Sequence, residues 1–330
     1  MRVLVTGGAG FIGSHYVRQA LTGAYPSLAE AEVVVLDKLT YAGTETNLAP
    51  VAADPRLRFV RGDICDAELV AGLVKGVDLL VHFAAESHVD RSIDGSADFV
   101  LTNVLGTQTL LQAALNAGVG KFVHVSTDEV YGSIEEGSWT EDHILEPNSP
   151  YSASKASSDL LARSFHRTHG MPVCITRCSN NYGPYQFPEK VIPLFVTNLL
   201  DGGKVPLYGD GLNVRDWLHV DDHCHGIQLV ADGGRPGEIY NIGGGTELTN
   251  RELTERLLAA VGAGWDRVEP VTDRKGHDRR YSVDITKIAD ELGYRPRVSF
   301  DEGLAATVRW YQENRAWWES LKERAALGAR

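Results

Sequence analysis

Three glycines near the N-terminus constrain the fold more than any other feature of the sequence. Gly7, Gly10 and Gly13 directly follow the apolar run from Arg2 to Thr6, and helical spacing begins at Ser14. A strand that turns through glycines into a helix lets the backbone approach a pyrophosphate and aims helix amides at it. A tight turn without a ligand uses the same glycines, but the flanking strand and helix favour dinucleotide binding.

Acids at the ends of the next strands indicate which dinucleotide is bound. Asp37 closes the strand that begins at Glu32, where a carboxylate accepts hydrogen bonds from the adenine ribose and repels a 2′-phosphate. This favours NAD over NADP, although the neighbouring Lys38 is a counter-signal. Asp63 follows the third strand and is placed to meet the adenine. The small residues Ala84 and Ala85 after the fourth strand let the backbone lie close to a cofactor, or simply pack closely.

A tyrosine and a lysine form the second chemical pattern. Tyr151 and Lys155 are spaced i, i+4 on a helix that begins at Pro150, so both side chains lie on one side of it. A neighbouring ammonium and a cationic nicotinamide would lower the tyrosine pKa toward that of a usable base. The hydroxyl of Thr127 can hydrogen-bond the same substrate oxygen. Together with the dinucleotide turn, this pattern predicts hydride-transfer chemistry.

Two adjacent carboxylates follow the fifth strand. Asp128 and Glu129 come after the apolar run Lys121 to Val125 and the pair Ser126-Thr127. In an open α/β sheet, ligands bind outside the carboxyl ends of the strands. Such acids also commonly cap the next helix, and the local sequence does not separate the two interpretations.

The charge balance argues against some partners. The chain has 44 acidic and 32 basic side chains and a net charge of −12. Nucleic acid and anionic membrane surfaces require a local basic excess, so neither is predicted. A small anionic ligand held by a few arginines remains compatible with this composition.

The N-terminus and the cysteines indicate a cytoplasmic protein. The first apolar run is too short for a signal peptide, and no stretch reaches the length of a membrane span. Cys65, Cys174, Cys178 and Cys224 form no disulfide framework, so reduced and mostly buried thiols are predicted. The run from Asp221 to His225 suggests a metal site, but acids in the first turn of a helix explain it and no metal is predicted.

The second half of the chain loses the regular alternation of strands and helices. Residues 179–184 are predicted as a polar loop, and Glu238 to Ile242 as a strand that returns to the main sheet. Single helices are predicted over Asp98 to Ala117 and over the aromatic-rich Asp301 to Leu321, whose tryptophans are expected to pack rather than bind ligand.

The sequence resembles the extended short-chain dehydrogenase/reductases and, more closely, the dTDP-glucose 4,6-dehydratases, over essentially its full length. The matching runs are TGGAGFIGSH, FAAESHVDRSI, STDEVYG, YSASK, RCSNNYGPYQFPEK, NVRDWLHVDDH and DRKGHDRRY. Asp128-Glu129 is the most specific element, because related epimerases lack it. Related decarboxylases and GDP-sugar dehydratases typically have Ser at the position of Asp128.

This resemblance implies an α/β fold with a Rossmann-type doubly wound parallel sheet and a smaller α/β substrate-binding domain. Residues 1–178 would bind NAD, with a returning segment near 215–243, and residues 179–330 would mainly bind substrate. A homodimer formed through the helices around 98–117 and 150–168 is implied as well.

The implied reaction converts dTDP-glucose to dTDP-4-keto-6-deoxy-glucose and water, with NAD bound throughout. Tyr151 takes the proton of the 4-hydroxyl, Glu129 removes the C5 proton and Asp128 protonates the departing 6-hydroxyl; Thr127 and Lys155 complete the catalytic set. The implied cofactor contacts are Gly7, Gly10, Phe11, Ile12, Gly13, Asp37, Lys38, Asp63, Ile64, Phe83, Ala84, Ala85, Ser87, Tyr151, Lys155 and Asn181. The implied substrate contacts are Ser87, Thr127, Asn180, Glu189, Lys190, Pro206, Tyr208, Arg215, Asn250, Asp273, Arg274 and His277.

Two alternative functions are also considered from the sequence. A nucleotide-sugar 4-epimerase needs everything except the acid pair. A cofactor-sensing regulator on the same fold would have a degraded YxxxK pattern, whereas Tyr151 and Lys155 are both present. The sequence does not indicate whether the product feeds cell-wall rhamnose or a secondary-metabolite deoxysugar.

Overall fold

A computed structural model describes residues 1–327. It contains twelve strands, Arg2–Thr6 (β1), Glu32–Asp37 (β2), Leu57–Arg61 (β3), Leu79–His82 (β4), Lys121–Thr127 (β5), Val173–Cys178 (β6), Asn180–Tyr182 (β7), Val205–Tyr208 (β8), Val214–His219 (β9), Ile239–Ile242 (β10), Glu247–Thr249 (β11) and Val268–Val271 (β12). The α-helices are Phe11–Leu21 (α1), Ala67–Leu73 (α2), Val89–Asp94 (α3), Ala97–Phe99 (α4), Thr107–Ala117 (α5), Pro150–His169 (α6), Val191–Leu200 (α7), Val220–Gly233 (α8), Asn250–Val261 (α9), Thr286–Leu292 (α10), Phe300–Glu313 (α11) and Arg315–Leu327 (α12).

Seven strands form one parallel sheet in the order β10-β6-β5-β4-β1-β2-β3. The chain adds β2 and β3 on one side of β1, and then adds β4 and the later strands on the other side. The order of strands therefore reverses between β1 and β4, where a doubly wound sheet opens a crevice. The predicted Rossmann-type fold is confirmed. The predicted return of the chain to this sheet is confirmed as well, because β10 pairs with β6.

Strand β5 is longer than the apolar run that predicted it. Ser126 and Thr127 still pair with Arg177 and Cys178 of β6. Polar residues are accommodated there because the end of β5 is the rim of the crevice. The strand therefore carries Thr127 directly to the site, and Asp128 opens the 3₁₀ turn that follows, Asp128–Tyr131.

Two small sheets lie outside the main one, in the orders β11-β9-β7 and β12-β8. The predicted polar loop over 179–184 is partly wrong, because Asn180–Tyr182 forms β7 and pairs in parallel with β9. Asn residues rarely favour strands, and here the partner strand supplies the hydrogen bonds that hold them extended. Sequence pattern alone does not show that partner.

The single helix predicted over 98–117 is wrong in detail. Residues Val100–Gly106 form a π-helical segment between α4 and α5. Asn103 within it accepts from the amide of Glu86 and donates to the carbonyl of the same residue, each at 2.9 Å. It also donates to Ser154 Oγ at 2.8 Å, and these side-chain bonds stabilise a wider turn at a functional edge of the fold.

The single helix predicted over 301–321 is also wrong, because Asn314 separates α11 from α12. Its side-chain Nδ2 and its backbone N both donate to the carbonyl of Trp310, at 2.8 and 2.9 Å. This local side-chain bond competes with the regular helical pattern. The prediction that the aromatic residues pack is confirmed, since Tyr311 and Trp318 are both fully buried.

The apolar core is divided by the main sheet. One cluster fills each face, and a third, containing Trp318, joins β9 to α7, α9 and α11. The four cysteines are free, and all but Cys65 are buried. Across residues 1–327, no helix combines the length and apolarity that crossing a bilayer requires.

Candidate active site

The glycine turn is shaped for a ligand. Gly7 has φ of 73°, and a Cβ there would lie 2.5 Å from the backbone nitrogen of Ala84. A Cβ at Gly13 would lie 2.3 Å from the carbonyl oxygen of Gly7. Gly10 caps α1 without a side-chain hydrogen bond, so the first amides of the helix remain available to an anion. These features fit a dinucleotide pyrophosphate.

A cavity of about 320 Å³ begins at this turn and runs along the carboxyl ends of the strands. Every residue predicted as a cofactor contact lines it, from both sides of the reversal in strand order. The catalytic candidates Thr127, Asp128 and Glu129 line the same cavity. Among the residues that the sequence reasoning missed are Thr40, Ala42, Gly43, Thr102, Gln186 and Phe187. They belong to loops and a π segment, whose positions no sequence pattern specified.

Asp37 is buried and organises the cofactor turn. One carboxylate oxygen accepts from the amide of Ala9 at 2.9 Å and the other from the amide of Leu39 at 2.8 Å. Lys38, the counter-signal for NAD, lies 2.7 Å from the Asp63 carboxylate. The positive charge next to Asp37 is thus partly neutralised, which favours a ribose without a 2′-phosphate.

A second cavity, of about 200 Å³, adjoins the first. It contains the predicted substrate contacts Asn180, Glu189, Lys190, Pro206, Tyr208, Arg215, Asn250, Arg274 and His277. Ser87 and Thr127 line the first cavity instead. Asp273 lines neither; its carboxylate lies 2.6 Å from Nδ1 of His277 and orients that ring.

Three cationic side chains line the second cavity. Arg215 donates to the carbonyl of Asp278 at 2.9 Å, and its guanidinium lies 4.1 Å from the ring centre of Tyr281. Arg274 lies 3.5 Å from Asp90, and Lys190 donates to the carbonyl of Ser87 at 2.7 Å. The same cavity is also lined by Asp90, Glu129 and Glu189. The two guanidinium groups nevertheless offer the paired donors that suit a diphosphate.

The two cavities meet at Glu129. The residues that line both are Glu129, Asn180, Asn181, Gln186, Glu189 and Lys190. A ligand in the second cavity and a cofactor in the first would therefore face each other across this carboxylate. Asn181 is held in place by His223, whose Nδ1 lies 2.9 Å from its side-chain oxygen.

Tyr151 and Lys155 lie beneath this junction, both more than nine-tenths buried. Lys155 donates from Nζ to the carbonyl of Val125 at 2.8 Å, and burial lowers its pKa to about 8. Burial, and then the charges of Glu129 and Asp128, raise the pKa of Tyr151. The sequence predicted a lowered tyrosine pKa; in the protein alone burial raises it, and the side-chain hydrogen bond with Thr127 opposes that shift.

Asp128 and Glu129 occupy different environments. Asp128 is 2% exposed, and its Oδ2 has no hydrogen-bond partner. Burial, followed by the Glu129 charge, raises the pKa of Asp128 well above its usual range. Burial also raises the pKa of Glu129, but the cations Arg274, Lys190 and Arg215 oppose that shift. The pair can therefore hold one proton on Asp128 while Glu129 ionises.

A buried ion pair behind Lys155 escaped the sequence reasoning. Asp159 is one helical turn beyond Lys155 and accepts from Arg177 Nε at 2.9 Å. Both side chains are at most 1% exposed, and His124 Nε2 lies 3.3 Å from the same carboxylate. The available signal was the i, i+4 spacing from Lys155 together with a charged residue inside an otherwise apolar strand.

The run from Asp221 to His225 has structural partners instead of a metal geometry. Asp221 lies 2.6 Å from His15 Nε2, and Asp222 accepts from the amides of Arg297 and Val298. Among the residues that the structure describes, no group of three or more His, Cys, Asp or Glu side chains is arranged to hold a metal ion.

Comparison with known proteins agrees with this geometry. The model of the family described as GDP-mannose 4,6 dehydratase matches residues 4–307. A dTDP-glucose 4,6-dehydratase from Streptomyces antibioticus is 68% identical over 327 residues, which cover 99% of this chain and 97% of that protein.

Solved structures extend the comparison. DesIV, a dTDP-glucose 4,6-dehydratase from Streptomyces venezuelae with NAD and TYD bound, is 72% identical with a TM-score of 0.96, covering 97% of this chain and 100% of that one. A UDP-glucuronic acid 4-epimerase from Bacillus cereus, in complex with UDP-glucuronic acid and NAD, has a TM-score of 0.88 but is 28% identical, covering 95% and 99%. The fold is thus shared with epimerases, whereas the much higher identity lies with the dehydratases. The chain belongs to the nucleotide-sugar epimerase/dehydratase family, in the group of the dTDP-glucose 4,6-dehydratases.

Proposed function

We propose that this chain is an NAD-dependent hydro-lyase that converts dTDP-glucose to dTDP-4-keto-6-deoxy-glucose and water. The observation that carries the proposal is the unlike environment of two adjacent carboxylates at the junction of the two cavities. Oxidation and reduction at C4 need only a tyrosine base. Elimination additionally needs a base at C5 and an acid at the leaving oxygen, in opposite protonation states.

Tyr151 begins the reaction by taking the proton of the sugar 4-hydroxyl, and Thr127 holds the same oxygen. NAD held by the glycine turn and by Asp37 would supply the acceptor for the C4 hydride and the donor for its return to C6. Lys155, fixed to the carbonyl of Val125, keeps a positive charge under Tyr151 and stabilises its phenolate. The 4-ketone that results makes the C5 proton acidic.

Glu129 then removes the C5 proton, and Asp128 donates a proton to the departing 6-hydroxyl, which leaves as water. Arg274, Lys190 and Arg215 favour the ionised form of Glu129 before the step. Burial favours the protonated form of Asp128, which then donates its proton to the 6-oxygen as the C6–O bond breaks. The proton on Glu129 returns to C5 when the hydride arrives at C6. Tyr151 then still holds the proton from the 4-hydroxyl and Asp128 lacks the one it gave to water, so release of the first proton to solvent and uptake of one by Asp128 restore the starting state.

We also propose that two segments of the chain bind different ligands. Residues 1–178, with the returning segment near 215–243, mainly bind NAD, and residues 179–330 mainly bind the nucleotide sugar. The lining of the first cavity, drawn mostly from the first segment, supports this assignment. The second cavity supports it too, because most of its lining residues follow Cys178.

A homodimer and a cytoplasmic location are proposed as well. Three large apolar side chains of the π segment, Val100, Leu101 and Leu105, are 47–54% exposed, and Leu160 of α6 is 54% exposed. An apolar surface on those two helices supports pairing with a second copy. Light scattering of the protein and of Leu160→Asp tests this, and a dimeric Leu160→Asp variant would contradict the proposed surface.

The proposed cytoplasmic location rests on the cysteines. The four free cysteines suit a reducing compartment.

One incubation tests the activity. Purified protein is mixed with dTDP-glucose without added NAD, and the product is examined for the alkaline ultraviolet absorbance of a 4-keto sugar. Its appearance is expected. A product that differs from the substrate only in the configuration at C4 would instead indicate an epimerase.

A further inference from the structure

Tyr41 and Glu189 join two loops that are far apart in the sequence. The Tyr41 hydroxyl donates to Glu189 Oε1 at 2.9 Å. Burial, then the charge of Glu189, raises the pKa of Tyr41, so its hydroxyl stays protonated and remains a donor. Burial raises the pKa of the accepting Glu189, while the Lys190 charge, this hydrogen bond and the Arg91 charge oppose that shift.

Two further contacts hold the same tyrosine. The guanidinium of Arg91 lies 3.7 Å from the ring centre of Tyr41, and its Nε lies 3.5 Å from Glu189 Oε2. Phe187 meets the Tyr41 ring edge-on, with ring centres 5.6 Å apart. Tyr41, Arg91, Phe187 and Glu189 thus form one cluster, which we call the clasp.

The clasp joins two segments of the chain that line the cofactor cavity. Thr40 and Ala42, on either side of Tyr41, belong to one segment, and Phe187 and Glu189 belong to the other. Glu189 also lines the substrate cavity. Of the four clasp residues, only Glu189 lines the second cavity, so the contact between the two segments belongs mainly to the first.

The backbone around the clasp is strained. Leu39, two residues before Tyr41, has φ of 56°, and Tyr185, two residues before Phe187, has φ of 68°. Non-glycine residues adopt positive φ at a cost, and such strain persists where surrounding contacts hold it, as in ligand clamps. Here both strained residues lie next to the segments that the clasp joins.

We infer that Tyr41 and Arg91 retain NAD by fastening the loop after β2 to Glu189, so that the nucleotide sugar exchanges through its own cavity while the cofactor stays bound. This inference rests on the proposed function, because only a reaction that returns its hydride within each cycle benefits from a trapped cofactor. Tyr41 and Arg91 then set the rate of cofactor release rather than the chemistry.

The test measures how fast bound NAD exchanges with isotopically labelled NAD. Holoprotein is mixed with excess labelled NAD, and at timed intervals gel filtration and mass spectrometry give the labelled fraction. Tyr41→Phe keeps the ring contacts but removes the donor, so exchange is expected to be about tenfold faster. Arg91→Met is expected to act in the same direction, and the double variant to show less than the product of the two effects.

The chain offers a matched control in Tyr240→Phe. Tyr240 donates to Glu291 Oε2 at the same distance, 2.9 Å, on the far edge of the main sheet. The same hydroxyl accepts from the amide of Arg235 at 3.0 Å. Its loss is therefore expected to lower the melting temperature at least as much as Tyr41→Phe does while leaving NAD exchange at the unmutated rate. Prolonged dialysis should remove NAD and turnover from Tyr41→Phe sooner than from Tyr240→Phe, and added NAD should restore that turnover.

Equal exchange rates in Tyr41→Phe and Tyr240→Phe would overturn the inference. Exchange is measured without dTDP-glucose, so it reports on the clasp even if no 4-keto product forms. Failure of the proposed function would appear separately, as an unmutated holoprotein that gives no product.

Discussion

Lys155 Nζ donates a 2.8 Å hydrogen bond to the main-chain oxygen of Val125. This bond ties α6, which carries Tyr151, to β5, which carries Thr127 and leads into Asp128 and Glu129. The proposed base for C4 and the proposed acid pair for C5 and C6 therefore belong to two neighbouring elements that this contact helps to hold together. A lysine in this position acts on charge and on geometry together.

Asp128 and Glu129 should stall different steps when each is replaced. In Glu129→Gln, oxidation at C4 remains available but removal of the C5 proton does not. The variant should accumulate the absorbance of reduced cofactor, release little product and lose exchange of the C5 hydrogen with solvent. Rapid-scanning absorbance and deuterium incorporation measure both effects.

Asp128→Asn should allow oxidation and C5 exchange but stop the loss of water, because the 6-hydroxyl leaves poorly without an acid. If the pair only capped the following turn, both variants would lose about 1 kcal/mol of stability and no step selectively. Full dehydratase turnover in both would disprove the proposed mechanism.

Tyr151→Phe should lower kcat by about 10²–10⁴-fold, since the proton of the 4-hydroxyl then has no positioned acceptor. The ring still packs edge-on against Phe99, so folding should be preserved. No reduced-cofactor absorbance should develop, unlike in Glu129→Gln. Intact turnover in this variant would show that the whole site assignment is wrong.

Lys155→Ala should move the acid limb of the pH–rate profile to higher pH and slow the reaction. Burial and the neighbouring carboxylates already raise the pKa of Tyr151. Removing the adjacent cation destabilises the phenolate further, so a higher pH is needed to form it. Profiles of kcat between pH 6 and pH 10 measure the shift; an acid limb at unchanged pH would show that Lys155 does not act on Tyr151.

Asp37→Asn should weaken NAD binding about tenfold and reduce the preference for NAD over NADP. The amide of asparagine has one acceptor, so one of the two backbone donors, Ala9 or Leu39, loses its partner. Loss of the charge also removes the repulsion of a 2′-phosphate. Calorimetric titration of cofactor-free protein with each dinucleotide gives both constants. Equal binding of NAD and NADP by the unmutated protein would contradict this role of Asp37.

Asp159→Asn should destabilise the fold by about 3–5 kcal/mol at neutral pH, because it leaves Arg177 buried and unpaired. Although burial raises it, the pKa of Asp159 is lowered to about 2 by Arg177 and His124. A depressed carboxylate pKa gives stability that is complete above the unfolded value near 4 and is lost as the pH falls toward about 2.

The difference in free energy of unfolding between the two proteins should therefore be constant above about pH 5 and smaller below pH 4. Urea titrations at several pH values measure it. The exposed pair Arg279–Asp210 provides the control, since Asp210→Asn should change little. A difference that stays constant down to pH 3 would show that the pair does not account for the acid dependence.

Several features of the fold and of the candidate site could be predicted from short sequence patterns. The glycines of the first turn, the acid that closes β2 and the i, i+4 pair Tyr151–Lys155 depend on spacing within one element, and such spacing is visible in the sequence. The alternation of strands and helices likewise determined the parallel sheet. Resemblance to a family then supplied the substrate contacts, which no local pattern would have identified.

Only the tertiary structure decided how these parts meet. The widening of the helix around Asn103 depends on Glu86, and the strand β7 exists because β9 lies beside it. The unlike surroundings of Asp128 and Glu129 come from cations more than 60 residues away in the chain. The bond between Tyr41 and Glu189 joins residues 148 positions apart. Such contacts follow from the packing of distant segments, and their energies depend on burial, which sequence spacing does not report.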